Sequence, residues 1–225
     1  MLELGPVSQE IIERTHKYSA NHYHRLSVVF ARGSGARLWD AEGREYIDML
    51  SCYSALNIGH NHPRIVQVVR DRQSNGLIDN VSNAVFTPEY ADFVECLAKF
   101  CFLDEVLAKN GGVEAVESAI KIARKWGYTV KGVERGKAEI IVCENNFHGR
   151  TTTVVGFSST PQYRDDFGPY ATGAFKSVPF GDADALGSAI TKNTVAFLVE
   201  PIQGEGGINV PPDDYLRNVS WICRE

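Results

Sequence analysis

Residues 138–151 read AEIIVCENNFHGRT, an apolar run followed at once by a polar segment that contains a glycine. An apolar run without alternation is typical of a strand that is buried on both faces of a parallel sheet. A second such run occupies Val195–Glu200, and helical patterns precede it at Pro88–Cys101 and Gly112–Trp126. Strands that alternate with helices predict an α/β fold with a mostly parallel sheet.

The first 55 residues have a different pattern, which predicts a small α+β segment. Ser8 is in position to cap a helix that ends near Tyr18. Three short strands joined by glycine-containing turns then predict an antiparallel meander. These strands are expected at Leu26–Ala31, Ala36–Asp40 and Arg44–Met49. We therefore expect an N-terminal segment over residues 1–55 and the first part of a large domain over residues 56–225.

The composition favours a globular protein that acts on small molecules. A chain of 225 residues with 44% hydrophobic content is long enough to bury a substantial core. The net charge of -5 argues against a broad nucleic-acid or anionic-membrane surface, because both need clustered Lys and Arg. No apolar run approaches the roughly 20 residues that cross a bilayer. We expect neither a nucleic-acid nor a membrane partner.

The five cysteines indicate a reducing compartment. Their odd number and the absence of CxxC spacing argue against a secreted disulfide framework or a metal site. Met1–Glu10 has neither the basic nor the apolar region of a secretory signal. We therefore expect reduced core thiols, no bound metal and a cytoplasmic location.

Gly111 and Gly112 directly precede a helical pattern, an arrangement suited to binding an anion. Glu114 in the first turn and Lys125 in the last turn complement the helix dipole, so the N-terminus is well defined. The glycines let a ligand approach the first-turn N–H groups. On these residues alone, an ordinary glycine-rich turn is the favoured interpretation.

The segment after the first apolar strand contains side chains that suit a flat ring and a carboxylate. It should lie at the carboxyl end of a parallel strand, where α/β sheets bind ligands. Phe147 offers a face for stacking, and Arg150 offers a planar fork that holds a carboxylate in a bidentate manner. A core Phe147 and a solvated Arg150 are the alternative. His148 is more typical of a structural hydrogen-bonding residue than of a catalyst.

A third segment, Gln203–Gly207, follows the second apolar strand and should reach the same edge of the sheet. Glu200 lies at the strand end and, if buried, must be paired or hydrogen-bonded, so it is expected to support loop geometry rather than to shuttle protons. Glu205 could pair with an arginine or meet a substrate amino group. Plain solvent exposure of Glu205 is the alternative.

In this order, the segments resemble those of the class III aminotransferases, which have PLP-dependent transferase fold type I and use pyridoxal 5'-phosphate. Within that family they are most similar to the ornithine aminotransferases. Acetylornithine and other ω-amino acid aminotransferases, or a non-catalytic truncated relative, are the alternatives. The resemblance spans nearly the whole chain and is carried by Trp39–Gly43, Tyr53–Asn57, Gly59–Pro63, Ala123–Gly132 and the segments around Phe147 and Glu200.

The resemblance implies a role for each candidate residue. Backbone N–H groups at the start of the helix would hold the cofactor phosphate, Phe147 would stack on the pyridine ring, and Arg150 would bind the substrate α-carboxylate. Two tyrosines would line the ornithine pocket, and Glu205 would be the residue that pairs with an arginine elsewhere in the enzyme. The cofactor-binding set is Gly111, Gly112, Val113, Phe147, His148 and Glu200. The substrate-binding set is Tyr23, Tyr53, Arg150 and Glu205.

The resemblance also implies partners and groups outside this sequence. Ornithine and 2-oxoglutarate would be the substrates, and the enzyme would work as a homodimer or a larger homo-oligomer. The Schiff-base lysine and the Asp that pairs with the pyridine nitrogen are expected beyond Glu225, so no catalytic residue is assigned within the chain and the large domain is expected to be incomplete. Gly111 stands where relatives usually have Thr or Ser, which removes one hydroxyl contact to the phosphate.

Overall fold

A computed structural model describes residues 4–76, 81–82, 84–171 and 173–225. The chain forms two compact units, Met1–Pro88 and Glu89–Glu225. The sequence predicts a change of architecture between residues 55 and 56, and that domain boundary stays a prediction.

Within the described residues, the N-terminal unit contains two helices and an antiparallel meander, as expected. The predicted position of the first strand is wrong, because the strand begins at Phe30 rather than Leu26 and includes Gly33 and Ser34 of the predicted turn. Strands β1, β2 and β3 pair in that order, each antiparallel to the next. Asp40 is buried at the end of β2 and accepts hydrogen bonds from the N–H groups of Glu42 and Arg44, which closes the turn to β3. The elements are α1 (Pro6–Tyr18), β1 (Phe30–Ser34), β2 (Arg37–Asp40), β3 (Glu45–Ile47) and α2 (Pro63–Ser74).

The predicted capping role of Ser8 is wrong. Helix α1 begins at Pro6 with Gly5 as its N-cap, because proline is suited to the first helical turn. Ser8 is buried, and its N–H and hydroxyl groups donate to the two carboxylate oxygens of Glu42 at 2.9 and 2.6 Å. A serine inside the helix therefore joins α1 to the turn between β2 and β3.

The C-terminal unit contains a parallel sheet between helices. Strand β4 lies in the middle, with β5 on one side and β6 on the other. A π-helical turn, Gly127–Lys131, continues the helix that ends at Trp126. The elements are α3 (Pro88–Cys101), α4 (Gly112–Trp126), β4 (Glu139–Cys143), α5 (Thr152–Val155), α6 (Pro161–Arg164), β5 (Phe175–Val178), α7 (Ala183–Ala189), β6 (Thr194–Leu198) and α8 (Tyr215–Ile222). The predicted α/β fold with a parallel sheet is confirmed.

Strand β4 is buried on both faces, as its continuous apolar sequence predicts. Ile140 and Val142 pack on one face against Ile120 of α4. Ile141 faces the other side and packs against Leu186 of α7 and Tyr215 of α8. Successive residues of a strand point to opposite faces, so one apolar run supplies both cores.

Helix α4 runs antiparallel to the strands, which directs its N-terminus toward their carboxyl ends. At its far end, Lys131 donates through Nζ to the Thr194 carbonyl at 2.6 Å, at the start of β6. Gly127 is buried there, and a Cβ atom built on it would lie 2.2 Å from Val195 Cγ1. The close approach explains the glycine, since any side chain would separate the helix from the strand.

The cysteines differ from their predicted burial. Cys143 is buried, whereas Cys52, Cys96, Cys101 and Cys223 are exposed. All five lie within the described residues, and none forms a disulfide there. The prediction of core thiols is therefore wrong for four of them. No helix among residues 4–76, 81–82, 84–171 and 173–225 is long and apolar enough to cross a membrane.

Candidate active site

The three predicted segments meet at the carboxyl edge of the parallel sheet. Gly149 lies against α4, because a Cβ atom built on it would be 2.4 Å from Val113 Cγ2. The Phe147 N–H group donates to Glu200 Oε2 at 3.0 Å, which joins the segments that follow β4 and β6. A Cβ atom on Gly206 would lie 2.4 Å from the Asn145 carbonyl oxygen. The predicted convergence is confirmed by these contacts.

The N-terminus of α4 offers backbone donors in open space. The N–H groups of Gly112 and Val113 belong to the first turn, where a helix has no internal acceptors for them. A Cβ atom built on Gly111 or Gly112 would meet nothing within 4 Å. The Gly111 N–H group, by contrast, donates to Glu114 Oε2 at 3.0 Å. Gly112 and Val113, rather than Gly111, are therefore the donors available to an anion.

Phe147, Arg150 and Tyr163 form a cluster, and Gly149 of the same segment packs against Val113 near the start of α4. The Phe147 and Tyr163 ring centroids are 6.0 Å apart, with an interplanar angle of 67°. Arg150 Cζ lies 5.9 Å from the Phe147 ring centroid and 5.2 Å from that of Tyr163. Contact with ring faces orients a planar guanidinium, the kind of group that binds a carboxylate in a bidentate manner. The sequence did not single out Tyr163, which lies in a turn-rich region.

Glu200 holds two loops at once. Its Oε2 atom accepts the Phe147 N–H, and its Oε1 atom accepts the Gly204 N–H at 3.4 Å. The half-buried carboxylate therefore supports loop geometry, as its position at a strand end suggested. Glu205, one residue further along that loop, is exposed.

Gln203 is a supporting residue that the sequence did not reveal. Its side chain is 1% exposed. Its Nε2 atom donates to the Glu144 carbonyl at 2.6 Å, and its Oε1 atom accepts from Asn209 Nδ2 at 3.1 Å. These bonds fix both ends of the loop that carries Glu205. A glutamine inside a glycine-rich loop gives no local signal of burial.

The surroundings of His148 favour its uncharged form. Its Nε2 atom is buried and has no hydrogen-bond partner among the described residues. Burial lowers the pKa of His148 below its ordinary value of 6.5, and the nearby carboxylate of Glu200 only partly opposes this. The structural hydrogen bond that the sequence suggested is not found at Nε2.

The lowered pKa of His148 predicts a loss of stability in acid. The unfolded histidine gains a proton near pH 6.5, whereas the folded one does so only at lower pH. The stabilising contribution is therefore complete above pH 6.5 and lost as the pH falls toward the folded pKa. Urea unfolding at pH 7.5, 6.5 and 5.5 should show a smaller decrease in unfolding free energy for His148→Phe than for the parent. Equal decreases would contradict the prediction, and His16→Gln, at an exposed site on α1, is the control.

Tyr23 and Tyr53 meet within the N-terminal unit. Their hydroxyl oxygens are 3.1 Å apart, and both rings are exposed, Tyr53 at 60%. Tyr53 lies in a run of left-handed backbone, in which residues 51–54 have φ values of 50°, 51°, 54° and 68°. Non-glycine residues in this region are strained, and such strain clusters at functional sites. The two predicted pocket residues are therefore a hydrogen-bonded pair.

Comparison with known proteins accounts for this arrangement. The family model for aminotransferase class-III matches residues 18–225. The chain belongs to this family. Class III aminotransferases are pyridoxal-phosphate-dependent enzymes. This cofactor has both a phosphate, which the anion donors could bind, and a flat ring, which an aromatic side chain could contact.

Similar class III aminotransferases carry two different names. The ornithine aminotransferase of Geobacillus sp. (strain WCH70) is 50% identical over 216 residues, which are 96% of this chain and 54% of that protein. An ornithine aminotransferase structure from Toxoplasma gondii, described with partial occupancy of PLP at its active site, has a TM-score of 0.92 at 38% identity. The match covers 96% of this chain and 50% of the Toxoplasma gondii chain. The acetylornithine aminotransferase structure of Elizabethkingia anophelis has a TM-score of 0.82 at 44% identity, with 96% and 52% covered.

The chain spans about half the length of the class III aminotransferases it matches. The residues present fit pyridoxal phosphate. The open N-terminus of α4 suits a doubly charged phosphate, because two first-turn N–H groups have no internal acceptor. The segment that carries Phe147 reaches that terminus, since Gly149, two residues further on, lies against Val113.

Proposed function

We propose that the enzyme containing this chain is an ornithine δ-aminotransferase that uses pyridoxal phosphate. It would exchange the δ-amino group of ornithine with 2-oxoglutarate, giving glutamate semialdehyde and glutamate. The observation that carries the proposal is the meeting of the α4 N-terminus with Phe147, Arg150 and Glu200 at one sheet edge. The 50% identity to a curated ornithine aminotransferase supports the choice of substrate.

In the proposed reaction, the chain binds and orients the cofactor. Pyridoxal phosphate supplies, when bound, the electron sink through which an amino group is exchanged between an amine and a carbonyl. Gly112 and Val113 donate N–H groups to its phosphate at the positive end of the α4 dipole. Phe147 supports the ring on one face, and Glu200 holds the Phe147 backbone in place. The His148 ring packs against Phe157, with the ring centroids 6.0 Å apart.

The proposed substrate contacts rest on the chemistry of the side chains and on the resemblance to ornithine aminotransferases. Arg150 binds the α-carboxylate of ornithine and the matching carboxylate of 2-oxoglutarate. By the resemblance to ornithine aminotransferases, Tyr23 and Tyr53 would line the substrate pocket and favour reaction of the δ-amino group over the α-amino group. Glu205 lies on an exposed loop and pairs with an arginine of the longer enzyme. The assignment of no catalytic residue to residues 1–225 stays a prediction.

The proposal is tested on the full-length enzyme by following the absorbance of its bound cofactor. L-Ornithine should change the spectrum faster than N-acetylornithine, and 2-oxoglutarate should restore it. Formation of an aldehyde product in step with the spectral change would support δ-transfer. A faster change with N-acetylornithine would instead favour acetylornithine aminotransferase, the second candidate, which the 44% identity to a solved member of that group keeps open.

Tyr53 separates the two candidates by mutation. Tyr53→Ile removes the hydroxyl bonded to Tyr23, so we expect the kcat/KM ratio of ornithine to an α-amino donor to fall by about tenfold. Tyr53→Phe isolates the contribution of the hydroxyl, and Tyr18→Ile, at a 75% exposed tyrosine of the same unit, is the control. An unchanged ratio in Tyr53→Ile would count against the ornithine assignment.

We also propose that the full-length enzyme is a homodimer or larger homo-oligomer in the cytoplasm. Several large apolar side chains of this chain are exposed, including Met49 at 89% and Phe102 at 93%. Exposed apolar surface of this kind is usually covered in a complete protein, either by the rest of the polypeptide or by a partner subunit. Sedimentation of the full-length enzyme measures the oligomeric state directly.

A further inference from the structure

Thr151 occupies the N-cap position of α5 but does not cap that helix. Threonine at this position ordinarily accepts a hydrogen bond from a first-turn N–H group through its side chain. Within the described residues, Thr151 makes no such bond. Its Oγ1 atom instead donates to Glu117 Oε1 at 2.5 Å, across 34 positions of sequence. A local rule is therefore broken in favour of a long-range contact, which is typical of functional regions.

Glu117 does not need this contact to stabilise its own helix. It is the sixth residue of α4, beyond the first turn in which an acidic side chain benefits from the helix dipole. Glu117 and Thr151 are both half-buried, so their bond is partly shielded from water. A hydrogen bond to an ionised carboxylate is stronger than a neutral one.

A second contact to α4 lies on the other side of Arg150. Gly149 packs on Val113, with a φ value of +116° and no room for a Cβ atom. Gly149 and Thr151 are the two neighbours of Arg150 in sequence, and both contact the first half of α4. The backbone of Arg150 is thus held between two contacts to the helix whose N-terminus offers anion donors.

We propose that Glu117 and Thr151 are positioning residues that set the separation between the anion site of α4 and the guanidinium of Arg150. The assignment of those two groups to the cofactor phosphate and the substrate carboxylate rests on the proposed function. Their hydrogen bond fixes the distance between the first-turn N–H groups of α4 and the guanidinium of Arg150. Neither Glu117 nor Thr151 contacts the cofactor or the substrate in this role. A displacement of about 1 Å in such an arrangement costs up to about 100-fold in rate.

Thr151→Val in the full-length enzyme is the test. It keeps the shape of the side chain and removes the hydroxyl donor. We expect KM for both ornithine and 2-oxoglutarate to rise about tenfold, while the cofactor dissociation constant changes less than about twofold. Thr151→Ser should restore the parent values, because it retains the donor, and Glu117→Gln should lie between. Thr160→Val is the matched control, since Thr160 is the N-cap of α6 and its hydroxyl makes no hydrogen bond within the described part.

Hydrogen exchange separates this inference from the proposed function. In the full-length enzyme without substrate, amides of residues 147–152 should exchange faster in Thr151→Val, and those of α7 should not. This result would stand even if the enzyme showed no aminotransfer with any donor. Unchanged exchange in residues 147–152, or equal defects in Thr151→Ser and Thr151→Val, would overturn the positioning role. A parallel loss of cofactor and substrate affinity would overturn it too, because it would indicate general disruption.

Discussion

Arg150→Gln in the full-length enzyme is expected to lower kcat/KM for ornithine and for 2-oxoglutarate by about 100-fold or more. Glutamine cannot offer the charged, two-donor fork that a carboxylate accepts, and each hydrogen bond to a charged group contributes about 1.5–3 kcal/mol. Arg150 also lies within cation–π distance of Phe147 and Tyr163, so its replacement removes these contacts as well. Steady-state kinetics with both substrates measure the effect.

Two further variants identify the cause of that loss. Arg150→Lys keeps the charge but not the fork, so we expect an intermediate defect. Arg135→Gln removes an exposed arginine that precedes β4 and should leave the kinetics unchanged. Cofactor affinity should be close to that of the parent in all three variants. A defect in Arg150→Gln of less than about threefold would show that another group binds the carboxylate.

Gly149→Ala is expected to destabilise the C-terminal unit by about 2–5 kcal/mol. The φ value of +116° is unfavourable for any residue with a side chain, and the new Cβ atom would meet Val113 Cγ2 at 2.4 Å. Val113 is itself packed against the core cluster around Ile120, so it has little room to move away. Urea denaturation with a fluorescence readout measures the change in unfolding free energy.

Gly136→Ala distinguishes the two causes. Gly136 has a φ value of +83°, but nothing lies within 4 Å of a Cβ atom built there. Only the backbone cost of about 1–2 kcal/mol applies at that position. The excess loss at Gly149 then reports the close approach to α4. Equal losses of unfolding free energy in Gly149→Ala and Gly136→Ala would show that steric contact between the loop and α4 adds nothing to the backbone cost.

The sequence predicts the strand–loop edges well and the contacts between them poorly. Continuous apolar runs identify β4 and β6, and the rule for parallel strands then places Phe147, Arg150 and Glu200 at one edge. Strand β5 was not predicted, because its sequence FKSV contains a lysine. That lysine, Lys176, forms an ion pair with Glu139 of β4, with its Nζ atom 2.8 Å from Glu139 Oε2. The sequence of one strand alone does not reveal this pairing.

The supporting contacts escape prediction for the same reason. Glu117 and Thr151 are 34 positions apart, and Gln203 contacts Glu144 across 59 positions. Ser8 was misassigned because its partner, Glu42, lies in a distant turn. Local patterns report which residues are apolar or cap a helix, whereas these side chains act through tertiary neighbours.

The left-handed run at residues 51–54 has a consequence for engineering the protein. Glycine adopts this left-handed backbone with less strain than any of the four residues present. Replacement by glycine in this segment is therefore a route to a higher free energy of unfolding. Glycine at Ser51, Cys52 or Ser54 would relieve backbone strain while leaving Tyr53 in place. Tyr53 is the exception, because glycine there would remove the side chain that is hydrogen-bonded to Tyr23.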